Sequence, residues 1–193
     1  MSQKIALFLC LTLLTSGIQA QNVYNLNANK IVVAGTSSLH DWESDVTKVG
    51  WSGAITVEDG KISEIRGVQV NIPVTSIKSS KGRIMDSKTY EAFDYEKNPN
   101  ITFRMSDAKI TGNQIRATGS LSLAGASRSI ELIARYKTIP NGDIQISGSY
   151  KINMRDYKME PPTAVMGTIK VGEEVTVSFD LMLSPDADTS RLK

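Results

Sequence analysis

His40 is the only histidine of the chain, and it stands in the run His40-Asp41-Trp42-Glu43, a dense polar and aromatic cluster. An imidazole among carboxylates can ligate a metal, accept a proton or hydrogen-bond the polar head of a ligand. The first two uses need partners that the sequence does not supply. Zinc sites recruit several His or Cys ligands, and this chain has one of each, the cysteine being Cys10 near the amino terminus. A Ser-His-Asp relay needs its serine held on a sharp turn, and no Gly-x-Ser-x-Gly run occurs. No catalytic residue, metal site or cofactor is therefore assigned. His40 and Trp42 remain candidates for contact with a ligand's head at the mouth of a cavity. Arg83 joins them, because a guanidinium binds phosphate with two parallel hydrogen bonds, and Lys78 and Lys81 lie close to it in sequence. Glu91, Asp94 and Glu96 are clustered, but carboxylates so placed more often mark a solvated face than a hydrolytic pair.

The elements that would carry these residues are strands. From Asn100 to Ile152 every second residue is apolar: Ile101, Phe103 and Met105, then Ile115, Ala117, Leu121 and Leu123, then Ile130, Leu132, Ala134 and Tyr136, then Ile144, Ile146, Tyr150 and Ile152. Side chains alternate across a strand, so a period of two predicts one apolar and one wet face. Turn signals recur between the runs at Asp59-Gly60, Gly112-Asn113, Ala124-Gly125 and Pro140-Asn141-Gly142, with Gly172-Glu173 before the final apolar strand. About eight strands joined mostly by hairpins predict an all-β fold, an antiparallel up-and-down barrel, since closure buries the apolar face and removes open edges. Such a barrel is either filled by its own side chains or holds one small apolar ligand. Phe103, Met105, Leu121, Leu123, Leu132, Tyr150, Ile152, Phe179 and Leu181 would point inward. Aromatics make up 6% of the chain and do not recur at strand ends, which sets it apart from an outer-membrane barrel with aromatic girdles. The period of two fails between Ser79 and Tyr95, where helix formers predict a short helix near residues 82–94, capped by Asp86 or Ser87 and with Met85, Thr89, Ala92 or Phe93 on one face.

Residues 1–20 read as a secretory signal: Lys4, an apolar run from Ile5 to Leu14 too short to span a bilayer, and Ile18-Gln19-Ala20 as a cleavage site. Cleavage near Ala20 predicts a periplasmic or secreted protein with one domain over residues 21–185 and a polar tail over 186–193. No later segment is long and apolar enough for a transmembrane helix. The formal net charge of +2 drops by one with Lys4, and so small a balance argues against a nucleic-acid partner. Without Cys10 the mature chain has no cysteine, so its stability must come from an ordinary apolar core.

The order of motifs carries a resemblance. Arg83-Ile84-Met85-Asp86, Tyr90-Glu91-Ala92-Phe93-Asp94-Tyr95, Asn98-Pro99-Asn100-Ile101-Thr102-Phe103, Thr118-Gly119-Ser120-Leu121-Ser122-Leu123-Ala124-Gly125 and Ile130-Glu131-Leu132 follow one another as in the YceI-like family of secreted lipid-binding proteins. Ser38-Leu39-His40-Asp41-Trp42 resembles the family's first hairpin, and Val68 to Ser76 the strand before its helix. The chain departs from the family pattern at Ala92, in place of a phenylalanine, at Ser122, in place of a threonine, and in the loop Pro161 to Met166. The resemblance implies a lipocalin-like barrel with a long apolar pore. It implies as partner an isoprenoid lipid or other long-chain amphiphile, such as a quinone or prenyl phosphate, and a possible homodimer. The sequence leaves open two rivals, an enzyme acting on an amphiphile in the same pore and an envelope structural protein whose barrel is filled.

Overall fold

The computed structural model describes residues 22–164 and 168–186. The leader at 1–20 and the tail from 187 onward lie outside the described residues. The strands are β1 (Asn22–Ser37), β2 (Trp42–Val46), β3 (Gly50–Glu58), β4 (Lys61–Pro73) and β5 (Ile77–Ser79), followed by helix α1 (Arg83–Phe93). Then come β6 (Asn100–Thr111), β7 (Gln114–Leu123), β8 (Ala126–Thr138), β9 (Ile144–Asn153), β10 (Thr163–Ala164) and β11 (Ile169–Pro185). Eight of them close a ring in the order β1-β3-β4-β6-β7-β8-β9-β11, with β11 pairing back onto β1. All of these pairings are antiparallel. The expected barrel of about eight strands with a helix near 82–94 is what forms. Three short strands were not foreseen: β2 and β5 extend the wall beside β1, and β10 edges β11.

Turn chemistry sets the register. Asp59-Gly60 and Ala124-Gly125 each place two residues at positive φ, the twist that suits a two-residue hairpin. They join Glu58 to Lys61 and Leu123 to Ala126. Helix α1 starts at Arg83 behind Gly82, without a side-chain cap. Asp86 therefore does not cap the helix as expected. It lies a turn inside, buried, and its carboxylate accepts the backbone N–H of Ser79 at 2.7 Å.

The two ends of the barrel differ. At the end holding the β3–β4, β6–β7 and β8–β9 turns, Tyr24, Ile55, Ile62, Tyr136, Ile144 and Leu183 pack into a solid plug, with Ile55, Ile144 and Leu183 wholly buried. At the other end sit α1 and the 3-10 turn Met154–Tyr157. The wall is not fully laddered. β1 pairs β3 only at Asn22 and Val23 and resumes on β2 at Val32, so Tyr24 to Ile31 have no ladder partner on that side. There the Trp51 indole N–H donates to the Tyr24 carbonyl at 3.1 Å. β4 pairs β6 only from Gln69 to Pro73. Across the open part of that seam the Ile62 N–H donates to the Tyr136 hydroxyl, which donates to the Gly112 carbonyl, both at 3.1 Å. β8 and β9 part beyond Ala134 and Gly148, and Arg128 closes part of that gap by donating to the Asp156 carbonyl at 2.8 Å.

Candidate ligand-binding cavity

Above the plug the barrel is hollow. The cavity has a volume of about 290 Å³, roughly twenty times the ~10–15 Å³ needed to hold one enclosed water. Its floor is made by Ile65, Val68, Ile115, Ala134 and Ile146, and its roof by Met85, Thr89, Ala92 and Phe93 of α1 together with Met159 and Pro162. The space is therefore a blind-ended pocket rather than a through-pore. All nine inward-facing residues expected from the alternation, Phe103, Met105, Leu121, Leu123, Leu132, Tyr150, Ile152, Phe179 and Leu181, stand in its wall.

Two glycines help keep the centre empty. A Cβ at Gly119 would lie 2.7 Å from the Phe103 ring and 2.5 Å from the Arg104 carbonyl oxygen. A Cβ at Gly148 would lie 2.7 Å from the Phe179 ring and 2.9 Å from the Ile133 carbonyl oxygen. The two rings thus rest on bare backbone and take wall space instead of lumen space. Trp42 does the same on Gly35, where a Cβ would come within 2.4 Å of the indole, and its ring N–H donates to the Thr36 carbonyl at 3.1 Å.

Of the three residues expected at the mouth, only Trp42 reaches the cavity wall. His40 is exposed in the β1–β2 turn, its Nδ1 2.9 Å from the Asp41 carbonyl, and Arg83 is exposed at the start of α1; neither lines the cavity. His40 lies in the turn between β1 and β2, and Arg83 is the first residue of α1, two positions ahead of Met85, which does face the cavity. Lys78 is engaged elsewhere: its ammonium lies 2.6 Å from the Tyr90 hydroxyl, which, with Asp86 behind it, holds the amine above the ordinary lysine value. Glu91 and Asp94 pair with Lys88 and Lys97, and neither carboxylate lines the cavity. Among the described residues no cluster of His, Cys, Asp or Glu is fit to hold a metal, and no helix is long and apolar enough to cross a membrane.

The alternation did not reveal the share of the wall supplied by Ile31, Val33, Ser44, Val46, Trp51 and Ile77. Trp42, Ser44 and Val46 do alternate with Glu43 and Asp45, but β2 is only five residues long, too short for its period to stand out.

A family model for the YceI-like domain matches residues 24–183. The chain belongs to the YceI-like family. The match begins at the third residue of β1 and ends in β11, so it takes in all of this YceI-like barrel but the outer ends of those two strands. A search of curated proteins found no significant match. Among solved structures, Burkholderia cenocepacia BcnA superposes with a TM-score of 0.64 at 17% identity, over 80% of this chain and 95% of that one. A polyisoprenoid binding domain from Saccharophagus degradans, implicated in plant cell wall breakdown, gives 0.63 at 13% identity, over 87% and 99%. The Campylobacter jejuni YCEI protein gives 0.59 at 20% identity, over 74% and 84%. At these identities the likeness is one of fold.

Proposed function

We propose that this YceI-like protein is a non-enzymatic carrier or sequestering protein that holds the chain of a long isoprenoid, or a similar amphiphile, inside its barrel. The observation that carries the reading is the blind-ended cavity, walled by aliphatic and aromatic side chains from the barrel strands and roofed by α1. Each methylene that moves from water into such a wall contributes roughly 0.8 kcal/mol, so a long chain binds without specific polar contacts. The plug limits how deep the chain goes. The shared fold with a polyisoprenoid binding domain supports an isoprenoid over an unbranched chain. Residues 1–20 support export to the periplasm or medium, and amino-terminal sequencing of protein recovered there should begin at Gln21.

The test is direct. Organic extraction of purified protein followed by mass spectrometry should release an apolar chain. Both tryptophans of the sequence, Trp42 and Trp51, line the cavity, so their fluorescence should change as a prenyl lipid is titrated in. Ala117→Phe, which fills the lumen from the wall, should abolish that change. No extracted lipid and no titration signal from quinones, prenols or prenyl phosphates would refute the reading.

A further inference from the structure

We propose that Ser44 and Ser79 form the seat for the polar head of the ligand, and that the head they accept is uncharged, a carbonyl or a hydroxyl. This rests on the carrier reading above and narrows it to one class of amphiphile.

The inward face of β2 reads Trp42, Ser44, Val46. Ser44 is 4% exposed, and its hydroxyl has no hydrogen-bond partner among the described residues. It is not sealed in the wall, because no fully enclosed side-chain nitrogen or oxygen there lacks a partner. Its opening is therefore into the cavity that it lines. A buried hydroxyl left without a partner costs about 1–3 kcal/mol, which makes a bare serine in this stripe expensive unless a ligand completes it.

The ladder places a second hydroxyl beside it. Ser44 is directly opposite Ser79 on β5, which also lines the cavity and whose oxygen accepts the Lys81 N–H at 3.1 Å, leaving its own proton to donate. On the other side the register runs from Ser44 to Val33, from Val33 to Val177 and from Val177 to Tyr150. Ser79, Ser44 and Tyr150 thus stand on one line of paired residues across the wall. One step toward the plug the same strands present Ile77, Val46, Ile31 and Phe179, all apolar. A head at the serine level with its chain running down to Ile115 and Ile146 meets each part of the wall with matching polarity.

Charge excludes an anion from this seat. Lys88 is the single charged residue of the cavity wall, and its ammonium is 2.7 Å from Glu91. Lys78 is taken up by Tyr90 and Asp86, and Lys81 and Arg83 are exposed and stand outside the cavity wall. A phosphate placed here would lose its water to an apolar wall that holds no unpaired cation.

The experiment compares three C20 probes by tryptophan fluorescence on the full protein: geranylgeraniol, geranylgeranyl monophosphate and the saturated hydrocarbon phytane. The wild type should bind the alcohol most tightly. Ser44→Ala should weaken the alcohol about two- to twelvefold, the worth of one net hydrogen bond, and leave phytane unchanged. Ser44→Thr keeps the hydroxyl and should restore much of the preference, while Glu43→Gln, on the outer face of the same strand, should change nothing. Tighter binding of the monophosphate than of the alcohol, or equal losses for alcohol and phytane in Ser44→Ala, would overturn the assignment and leave the carrier reading standing. Uptake of none of the three by the wild type would overturn both.

Discussion

Tyr136→Phe should separate the two jobs of the barrel, standing up and holding a ligand. Tyr136 is 7% exposed in the plug and lies outside the cavity wall. Its hydroxyl accepts from the Ile62 N–H and donates to the Gly112 carbonyl, in the part of the β4/β6 seam where no ladder forms. Deleting the oxygen changes no apolar packing. The Gly112 carbonyl belongs to an exposed turn and can turn to water. The Ile62 N–H cannot, since Ile62 is 3% exposed. An enclosed N–H without a partner costs about 1–3 kcal/mol. At about 2–4 °C per kcal/mol for a chain of this size, the melting temperature should fall by about 2–12 °C. Denaturant unfolding should show a lower midpoint with an unchanged m-value, the mark of lost stability without a change in the surface exposed. Fluorescence titration with geranylgeraniol should be unaltered. A loss below about 0.5 kcal/mol, the level of an ordinary surface substitution, would show that the phenol does not complete the seam. A changed ligand affinity would show that plug and cavity are not independent.

Gly148→Ala drives a methyl against the Ile133 carbonyl and the Phe179 ring, and should cost about 1–3 kcal/mol in thermal melts while weakening ligand uptake as the ring turns into the lumen. Asp86→Ala removes the acceptor of the Ser79 N–H and should cost about 1–3 kcal/mol. Hydrogen exchange should speed up in α1 and β5 before it does in β7 or β11. Burial, followed by the nearby Tyr150 and Asp156, pushes the Tyr157 phenol up to about 12. Because the folded state disfavours its ionised form, its contribution to stability is complete below about 10 and is lost as pH rises from there to about 12. Ultraviolet titration of the folded protein should show a late phenol step that Tyr157→Phe removes.

The barrel was legible where strands are long and end on defined turns. From Ile101 to Ile152 the inward set follows from alternation alone, because each strand keeps one face on the lumen for several residues. Even there β6 changes parity: a register shift between Met105 and Asp107 moves the buried set from Ile101 and Phe103 to Ala108 and Ile110. The head seat was not legible, because Ser44 acquires its meaning only from the register of β2 on β1 and β5, a long-range pairing. His40 and Arg83 drew attention by residue type, yet chemistry needs a shared face, and both lie past the ends of the strands. The helix face Met85, Thr89, Ala92 and Phe93 was correct, although the helix begins earlier than a side-chain cap at Asp86 or Ser87 would place it.

The interruptions in the wall bear on which molecules fit. A ring of strands hydrogen-bonded all the way round has a fixed girth, set by strand number and stagger. Here the hoop is split beside β1 from Tyr24 to Ile31, below Gln69 on β4 and above Ala134 on β8, and a side chain reaches across each split. Trp51, which lines the cavity, can slide where a ladder would have to break. The lumen is thus less fixed in width than in depth, so this barrel should tolerate branches and bends along a chain more readily than added length.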